Sequence, residues 1–203
     1  VFYGMTAKGY SLAEVLREIN AKLKRILPRG VFCCATVLNI SFQRQVVEVW
    51  NGGLPDGYLL HADGQRLPLV SRHLPLGVLA AQDFDDRTEV FAMAPGDRVF
   101  LLSDGVIDTC DARDQLFGVE RLLRVLRANR QASRLFEEIE QALADFGGQA
   151  RDDVSMVEVS LLPLGEVRPS LPVYSDSGQS CPLDWSLSFE FRADTLKRFN
   201  PLP

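Results

Sequence analysis

The spacing of apolar residues predicts three helices. The first begins after Ser11, where Ser-Leu-Ala-Glu is a capping-box pattern, and ends at the Pro and Gly of residues 28–30. Two more are predicted at about residues 119–128 and from Ser133 to the Gly-Gly pair at 147–148. Their apolar residues recur every three or four positions, so each helix has one core face and one solvated face. In the first helix the apolar positions are Leu12, Val15, Leu16, Ile19, Leu23 and Ile26.

Short runs rich in β-branched and aromatic residues predict β-strands around these helices. Polar turns between residues 40 and 46, and between 61 and 66, predict two antiparallel hairpins. The run that ends at Leu102 is continuously apolar over four residues, which is typical of a buried strand. The predicted strands are Phe32–Ile40, Val46–Trp50, Tyr58–His61, 66–70, Thr88–Met93, Arg98–Leu102 and Val154–Leu161.

A change in composition divides the chain at Pro163. Residues 163–172 are interrupted by prolines and a glycine, so we predict a main domain over residues 1–162 and an extension over 163–203. The extension contains a strand-like run at 185–191 and a helix-like run at 193–199. Because it has too few apolar residues to fold alone, we expect it to pack on the main domain, on a partner, or on a second copy of the chain in a homodimer.

Composition limits the classes of function. With 203 residues, of which 46% are hydrophobic, the chain can bury one sizeable core. Its net charge of −5 argues against a nucleic-acid-binding surface, and no apolar stretch reaches the roughly 18 residues that span a bilayer. We therefore expect no nucleic-acid partner, no membrane partner and a cytoplasmic location. The four cysteines lack metal-ligand spacing and are expected to be buried, reduced thiols, while His61 and His73 are expected to be structural.

Two acidic clusters each adjoin an apolar strand. Asp104 and Asp108 follow one strand, and Asp152 and Asp153 precede another. If these strands are antiparallel neighbours, both clusters lie at the same edge of the sheet and their carboxylates converge. Oxygen ligands of this kind suit Mg²⁺ or Mn²⁺, and a pair of such ions can activate a water and bind phosphate oxygens. The alternative for each cluster alone is an ordinary turn or a solvated loop.

Six short motifs occur in order along the chain. They are Asn-Gly-Gly-Leu-Pro at 51–55, Leu-Pro-Leu-Gly at 74–77, Pro-Gly-Asp at 95–97, Leu-Ser-Asp-Gly-Val-Ile-Asp at 102–108, Phe-Gly-Val-Glu-Arg-Leu at 117–122 and Arg-Asp-Asp-Val-Ser at 151–155. Each is weak alone, but the ordered set resembles the metal-dependent protein phosphatases of the PPM/PP2C superfamily. Within that superfamily it is most similar to the bacterial sporulation-phosphatase-like branch, although Gly53 stands where His is common. The resemblance covers about residues 10–162.

The resemblance implies an α+β fold in which an antiparallel β-sandwich is flanked by helices. It also implies two Mn²⁺ or Mg²⁺ ions at one edge, positioning a water that attacks phosphoserine or phosphothreonine. By position, Asp104 and Asp152 correspond to metal ligands, and Asp153 beside them is the third candidate. Gly105, whose missing Cβ lets the backbone turn sharply, and Asp108 are expected to shape the site rather than to catalyse.

The two earlier motifs of the family, a Gly-Asp pair and an Asp-x-x-Gly-His-Gly loop, do not occur in this sequence. In the family they bring the remaining metal ligands and precede the segment that corresponds to the helix at Ser11. Since the chain begins at Val1 without an initiator methionine, we expect a fragment, or the ordered part of a longer chain, that lacks the motif-bearing N-terminal segment. The alternatives for the two missing motifs are that they were cut off, that they are disordered, or that the protein never had them. Half of a dinuclear site is then expected in the chain as it stands.

Two functions remain open on these grounds. The first is a phosphoserine/phosphothreonine phosphatase that forms the output domain of a bacterial response regulator, with a receiver domain upstream. Its substrate would be a phosphoprotein such as an anti-sigma-factor antagonist. The second is a catalytically degenerate phosphatase fold that binds a sigma factor, similar to the stationary-phase sigma-factor delivery adaptor of regulated proteolysis.

Overall fold

The computed structural model describes residues 1–41, 43–129, 134–148 and 152–160; Ser133, Cys181 and the extension 163–203 lie outside them. The helices are α1 (Phe2–Thr6), α2 (Leu12–Ile26), α3 (Asp104–Ile107), α4 (Gly118–Ala128) and α5 (Leu135–Asp145). The strands are β1 (Ala35–Ser41), β2 (Val46–Gly52), β3 (Gly57–Leu60), β4 (Arg66–Leu69), β5 (Glu89–Ala92), β6 (Arg98–Leu102) and β7 (Met156–Ser160). None of these helices is long and apolar enough to cross a membrane.

The strands form two antiparallel sheets, with the orders β1-β2-β5 and β4-β3-β6-β7. β1 pairs with β2 along its whole length, with Ala35 opposite Gly52 at one end and Ser41 opposite Val46 at the other. β3 pairs with β4 in the same antiparallel way. Both hairpins expected from the sequence are therefore confirmed, as is the α+β class. The predicted strand before Asp104 is also present, with the same bounds.

Apolar side chains arrange these elements in four layers. The cluster between the two sheets includes Val47 and Val99. On the outer face of the three-stranded sheet, Leu16 of α2 packs in one cluster with Trp50. On the outer face of the four-stranded sheet, Phe100 packs with residues of α4 and α5. The order of the layers is helix, sheet, sheet, helix.

β6 lies inside the four-stranded sheet and is covered on both faces. Val99 belongs to the cluster between the sheets, whereas Phe100 and Leu102 belong to the cluster under α4 and α5. A strand buried on both faces has apolar residues at consecutive positions, which explains the unbroken apolar run in the sequence. The strand therefore leads directly from the core to Asp104.

α2 is fixed at its start and near its middle. The predicted capping box is present: Glu14 donates its N–H to Ser11 Oγ, and Ser11 donates its N–H to Glu14 Oε2 at 2.8 Å. Asn20, which is fully buried, donates from Nδ2 to Leu79 O at 3.2 Å and accepts the Gly77 N–H at 2.8 Å. These bonds tie the helix to the loop that precedes β5.

The expectation that the cysteines are buried is wrong for two of them. Cys33 and Cys34 are exposed, whereas Cys110 is buried, and all three are free thiols. The two exposed residues come before β1, and Cys33 is paired through its main chain with Leu76. An apolar run in the sequence does not bury side chains that lie outside the sheet layers.

Candidate functional site

The candidate site lies at the edge of the sheet where β6 ends and β7 begins. The two strands are antiparallel neighbours, and Leu102 at the end of β6 pairs with Met156 at the start of β7. The end of one strand and the start of the next therefore share an edge, as the sequence predicts. This places Asp104 on one side of the edge and residues 152–155 on the other.

Asp104 begins α3, a single helical turn rather than an open turn. Asp108 caps it by donating its N–H to Asp104 O at 2.8 Å. The carboxylates of both residues are on exposed positions. Asp108 therefore closes this helical turn through its main chain, and the site-shaping role of its side chain stays a prediction.

Gly105 is needed for a different reason from the one expected. Its φ is not positive, so the turn itself does not require glycine. A Cβ at this position would instead lie 2.4 Å from Asp153 O and 3.1 Å from Asp152 O. Since real Cβ atoms do not approach backbone atoms so closely, Gly105 is what allows the two loops to touch.

Thr109 holds the other side of the same segment, although no motif pointed to it. Its buried hydroxyl donates to Gly105 O at 2.7 Å. Gly148, after the end of α5, approaches it so closely that a Cβ there would lie 2.3 Å from Thr109 Cγ2. α3 is therefore attached to the helical layer as well as to the loop before β7.

Three exposed aspartates lie on the two loops that meet at this edge: Asp104, Asp152 and Asp153. Asp152 Oδ1 accepts the N–H of Asp153 at 2.7 Å. Within the described part of the chain, no Lys, Arg or His forms an ion pair with any of the three. Neighbouring carboxylates repel one another, so the edge favours a bound cation.

Cys34 lies within electrostatic range of Asp104, which the sequence did not predict. Its Sγ lies against Gly53, where a Cβ would be 2.9 Å from it. Local burial, and then the charges of Cys33 and Asp104, raise the pKa of the Cys34 thiol. Cys34, which directly precedes β1, is therefore close enough to Asp104 for the two charges to interact. The signal available in the sequence, the Asn-Gly-Gly motif, does not show which residue packs against it.

The two histidines are structural, as expected. His61 Nδ1 lies 2.8 Å from Asp97 Oδ2, at the end of β6 opposite Asp104. His73 is stacked on Trp50, with ring centroids 5.0 Å apart. Neither ring belongs to the edge that carries the aspartates.

The residues at this edge fit part of a metal site. Mg²⁺ and Mn²⁺ prefer oxygen ligands, and Mg²⁺ in proteins retains several waters beside one or two carboxylates. The solvent-exposed carboxylates of Asp104 and Asp152 suit such a hydrated ion, and the close approach at Gly105 keeps their loops together. Among the residues that the structure describes, no group of three or more His, Cys, Asp or Glu side chains could hold a metal. The described residues of this edge would therefore supply at most a partial set of ligands rather than a closed cage.

Comparison with known sequences identifies one family. The sequence model of the family described as Stage II sporulation protein E (SpoIIE) matches residues 1–162. No curated protein matches the chain.

Solved structures with the same fold include three phosphatase domains. The SiaA-PP2C domain of Pseudomonas aeruginosa has a TM-score of 0.61 and 21% identity, covering 77% of this chain and 63% of that one. The PP2C phosphatase domain of SpoIIE from Bacillus subtilis, with a fragment of its regulatory domain, has a TM-score of 0.61 and 17% identity, covering 77% and 46%. The catalytic domain of the serine/threonine phosphatase PstP, in complex with two manganese ions, has a TM-score of 0.50 and 19% identity, covering 73% and 70%.

These similarities establish the fold and confirm the predicted PP2C-like sandwich. This chain spans 63% of the SiaA structure and 46% of the SpoIIE structure, so each of those two proteins contains substantial parts without a counterpart here. The site residues themselves remain predictions.

Proposed function

This chain belongs to the stage II sporulation protein E (SpoIIE) family, and on that basis we propose that it is a metal-dependent phosphatase domain acting on phosphoserine or phosphothreonine in proteins. The observation that carries the proposal is the edge shared by β6 and β7. Two loops in direct contact there present exposed carboxylates that have no protein cation beside them among the described residues. Such an edge favours a divalent cation, and a divalent cation can promote the hydrolysis of a phosphate ester.

Asp104 and Asp152 would hold Mn²⁺ or Mg²⁺, with Asp153 as the third candidate ligand. When bound, the cation supplies an activated water and neutralises charge on the phosphate oxygens. Gly105 lets the two loops touch, and Asp108 caps the turn that presents Asp104. The two manganese ions in the PstP structure, which has the same fold, support this assignment.

The finer context follows from the resemblance of the motifs. The domain would be the output of a bacterial response regulator, with a receiver domain upstream, and would act in the cytoplasm. Its substrate would be a phosphoprotein such as an anti-sigma-factor antagonist. The SpoIIE structure from Bacillus subtilis contains a fragment of a regulatory domain beside the phosphatase domain, which supports an arrangement in which a second domain controls the phosphatase.

Substitution of Asp104 tests the activity and the metal assignment together. We expect the intact protein to release phosphate from a phosphoserine peptide when Mn²⁺ is present. Asp104→Asn should lower kcat/KM by more than about 100-fold, because even a neighbour of a metal ligand costs about 10–100-fold when removed. Steady-state phosphate release at a series of Mn²⁺ concentrations provides the measurement.

Asp63→Asn is the matched control for this experiment. Asp63 is equally exposed, but it lies in the turn between β3 and β4, beside the beginning of β6 rather than its end. We expect the activity of this variant to equal that of the wild type. Full activity in Asp104→Asn would contradict the metal assignment, and no hydrolysis with either Mn²⁺ or Mg²⁺ would contradict the enzyme.

The partial ligand set keeps a binding module as the second candidate. No group of three potential ligands occurs among the described residues, which is what a catalytically degenerate phosphatase fold would show. In that case the protein would bind a sigma factor with an affinity that neither EDTA nor Asp104→Asn changes. Isothermal titration with the sigma factor, with and without EDTA, distinguishes this function from the first.

A further inference from the structure

Ser103 lies between the last residue of β6 and Asp104, and its hydroxyl forms hydrogen bonds with the loop before β7. Ser103 Oγ donates to Asp153 O at 2.8 Å and accepts the N–H of Ser155 at 2.9 Å. The main-chain N–H of Ser103 donates to Ser155 O at 2.9 Å. Three hydrogen bonds from one residue therefore join the end of β6 to the loop before β7.

The hydroxyl of Ser103 does not do what a serine hydroxyl at this position usually does. Ser103 is the N-cap residue of α3, where a serine hydroxyl ordinarily accepts an N–H from its own helix. Here the side chain makes no capping bond. The hydroxyl is committed instead to the partner loop, so it stabilises the contact between two segments rather than the start of the helix.

Gly105, two residues after Ser103, is in steric contact with the same loop. Gly105 leaves no space for a Cβ between itself and Asp153 O. The two loops are thus in van der Waals contact at Gly105 and hydrogen-bonded at Ser103. Asp104 is the residue between these two positions, and Asp152 and Asp153 lie on the loop opposite.

We propose that Ser103 is a positioning residue that fixes the separation of Asp104 from Asp152 and so sets the affinity of the edge for a divalent cation. The proposal rests on the function proposed above, since it requires that these carboxylates bind a cation. Without the hydroxyl, Asp153 O and the Ser155 N–H lose their shared partner, and only the main-chain bond from Ser103 to Ser155 O and the contact at Gly105 still join the two loops. Two carboxylates on less tightly joined loops must be ordered in part by the ion itself, which weakens binding.

Ser103→Ala removes the hydroxyl, and two further variants control for other effects. Ser103→Thr retains the hydroxyl and should restore the wild-type behaviour. Ser160→Ala removes a hydroxyl at the other end of β7, where Ser160 pairs with Arg98. It reports what a general weakening of β7 does by itself.

Two measurements on the intact protein separate positioning from stability. Hydrogen exchange at the Ser155 amide, followed by NMR without metal, should be about fivefold to tenfold faster in Ser103→Ala because its acceptor is lost. Mn²⁺ affinity, followed by the EPR signal of the free ion well below the melting temperature, should be weaker by about tenfold or more. Ser103→Thr and Ser160→Ala should bind Mn²⁺ as the wild type does.

Each result has a distinct meaning. If wild type and Ser103→Ala bind Mn²⁺ equally, or if Ser160→Ala weakens binding as much, positioning by Ser103 is overturned and the proposed function stands. If the wild type binds no Mn²⁺, the proposed metal-dependent function fails and the positioning proposal fails with it. A lower melting temperature with unchanged Mn²⁺ affinity assigns Ser103 a purely structural role.

Discussion

At the scale of single residues, Asp97 is a buried carboxylate whose partners all belong to the protein. Its Oδ1 accepts the N–H of Ala62 at 2.9 Å, and its Oδ2 accepts that of Ala94 at 2.8 Å and lies 2.8 Å from His61 Nδ1. Burial disfavours the charged form, but these hydrogen bonds outweigh it and hold the pKa of Asp97 below its usual value. The carboxylate therefore stabilises the turn before β6, whereas that of Asp104 is exposed and has no ion-pair partner among the described residues.

This depressed pKa predicts a loss of stability in acid. The stabilisation by Asp97 is complete above the unfolded-state pKa of about 3.9 and is lost as pH falls through the lower folded-state pKa. We expect the free energy of unfolding, measured by urea denaturation, to decline over that range. Asp97→Asn should lower it by about 2 kcal/mol at neutral pH, because hydrogen bonds to a charged acceptor are lost, and should make the decline in acid shallower.

Asp63→Asn is again the control. Asp63 is exposed and directly follows Ala62, whose N–H binds Asp97, so the substitution removes a neighbouring carboxylate without touching Asp97. It should retain the acid decline of the wild type. An Asp97→Asn variant with an unchanged pH profile would show that Asp97 does not carry the effect.

At the scale of elements, α2 is attached to the molecule by a polar anchor as well as by its apolar face. Asn20 is fully buried and satisfies both the carbonyl of Leu79 and the N–H of Gly77. The loop after Gly77 has no regular structure, so its backbone groups need partners of this kind. The anchor therefore fixes the helix relative to the three-stranded sheet.

Asn20→Ala should lower the free energy of unfolding by about 2 kcal/mol, because a buried donor and a buried acceptor lose their partners. Urea denaturation at neutral pH measures the change. Asn39→Ala is the matched control, since Asn39 is exposed on β1 and bonds only to Glu48 in the described structure. It should change stability by less than about 0.5 kcal/mol. Equal effects of the two substitutions would contradict the role of the anchor.

At the scale of the whole molecule, stability comes from three apolar clusters that hold four layers together. Phe100 illustrates the arrangement, because it is fully buried between β6 and the layer of α4 and α5. Its neighbour Val99 faces the opposite way, into the cluster between the sheets. Loss of a large side chain from β6 therefore weakens the attachment of the helices to the strand that carries the site.

Phe100→Ala should lower the free energy of unfolding by about 3–5 kcal/mol, as is usual for a large cavity in a core. Phe32→Ala removes the same side chain from a position that is 53% exposed. The free energy of unfolding of that variant should fall by less than about 1 kcal/mol, because much of the Phe32 side chain already lies in water in the folded protein. Calorimetric melting of the two proteins gives the comparison, and similar losses would contradict the layered core.

Part of the candidate site could be predicted from the sequence. The apolar run before Asp104 indicated a buried strand. Because Asp152 and Asp153 precede a second strand, the sequence also predicted that they would lie at the same edge of the sheet as Asp104. These inferences need only the periodicity of a strand and the geometry of antiparallel pairing. The proximity of Cys34 to Asp104 could not be predicted, because Cys34 precedes the first strand of the other sheet and is about seventy residues away along the chain.

The sequence by itself determined the three long helices and the strands, the position of Ser11 as the cap of α2, and which aspartates stand at strand ends. It could do so because these features depend on neighbours within one or two turns of chain. Only the tertiary structure decided why Gly105 is required and what the hydroxyl of Ser103 does. Both answers depend on Asp153, which is about fifty residues away along the chain and comes into contact only when β6 and β7 pair.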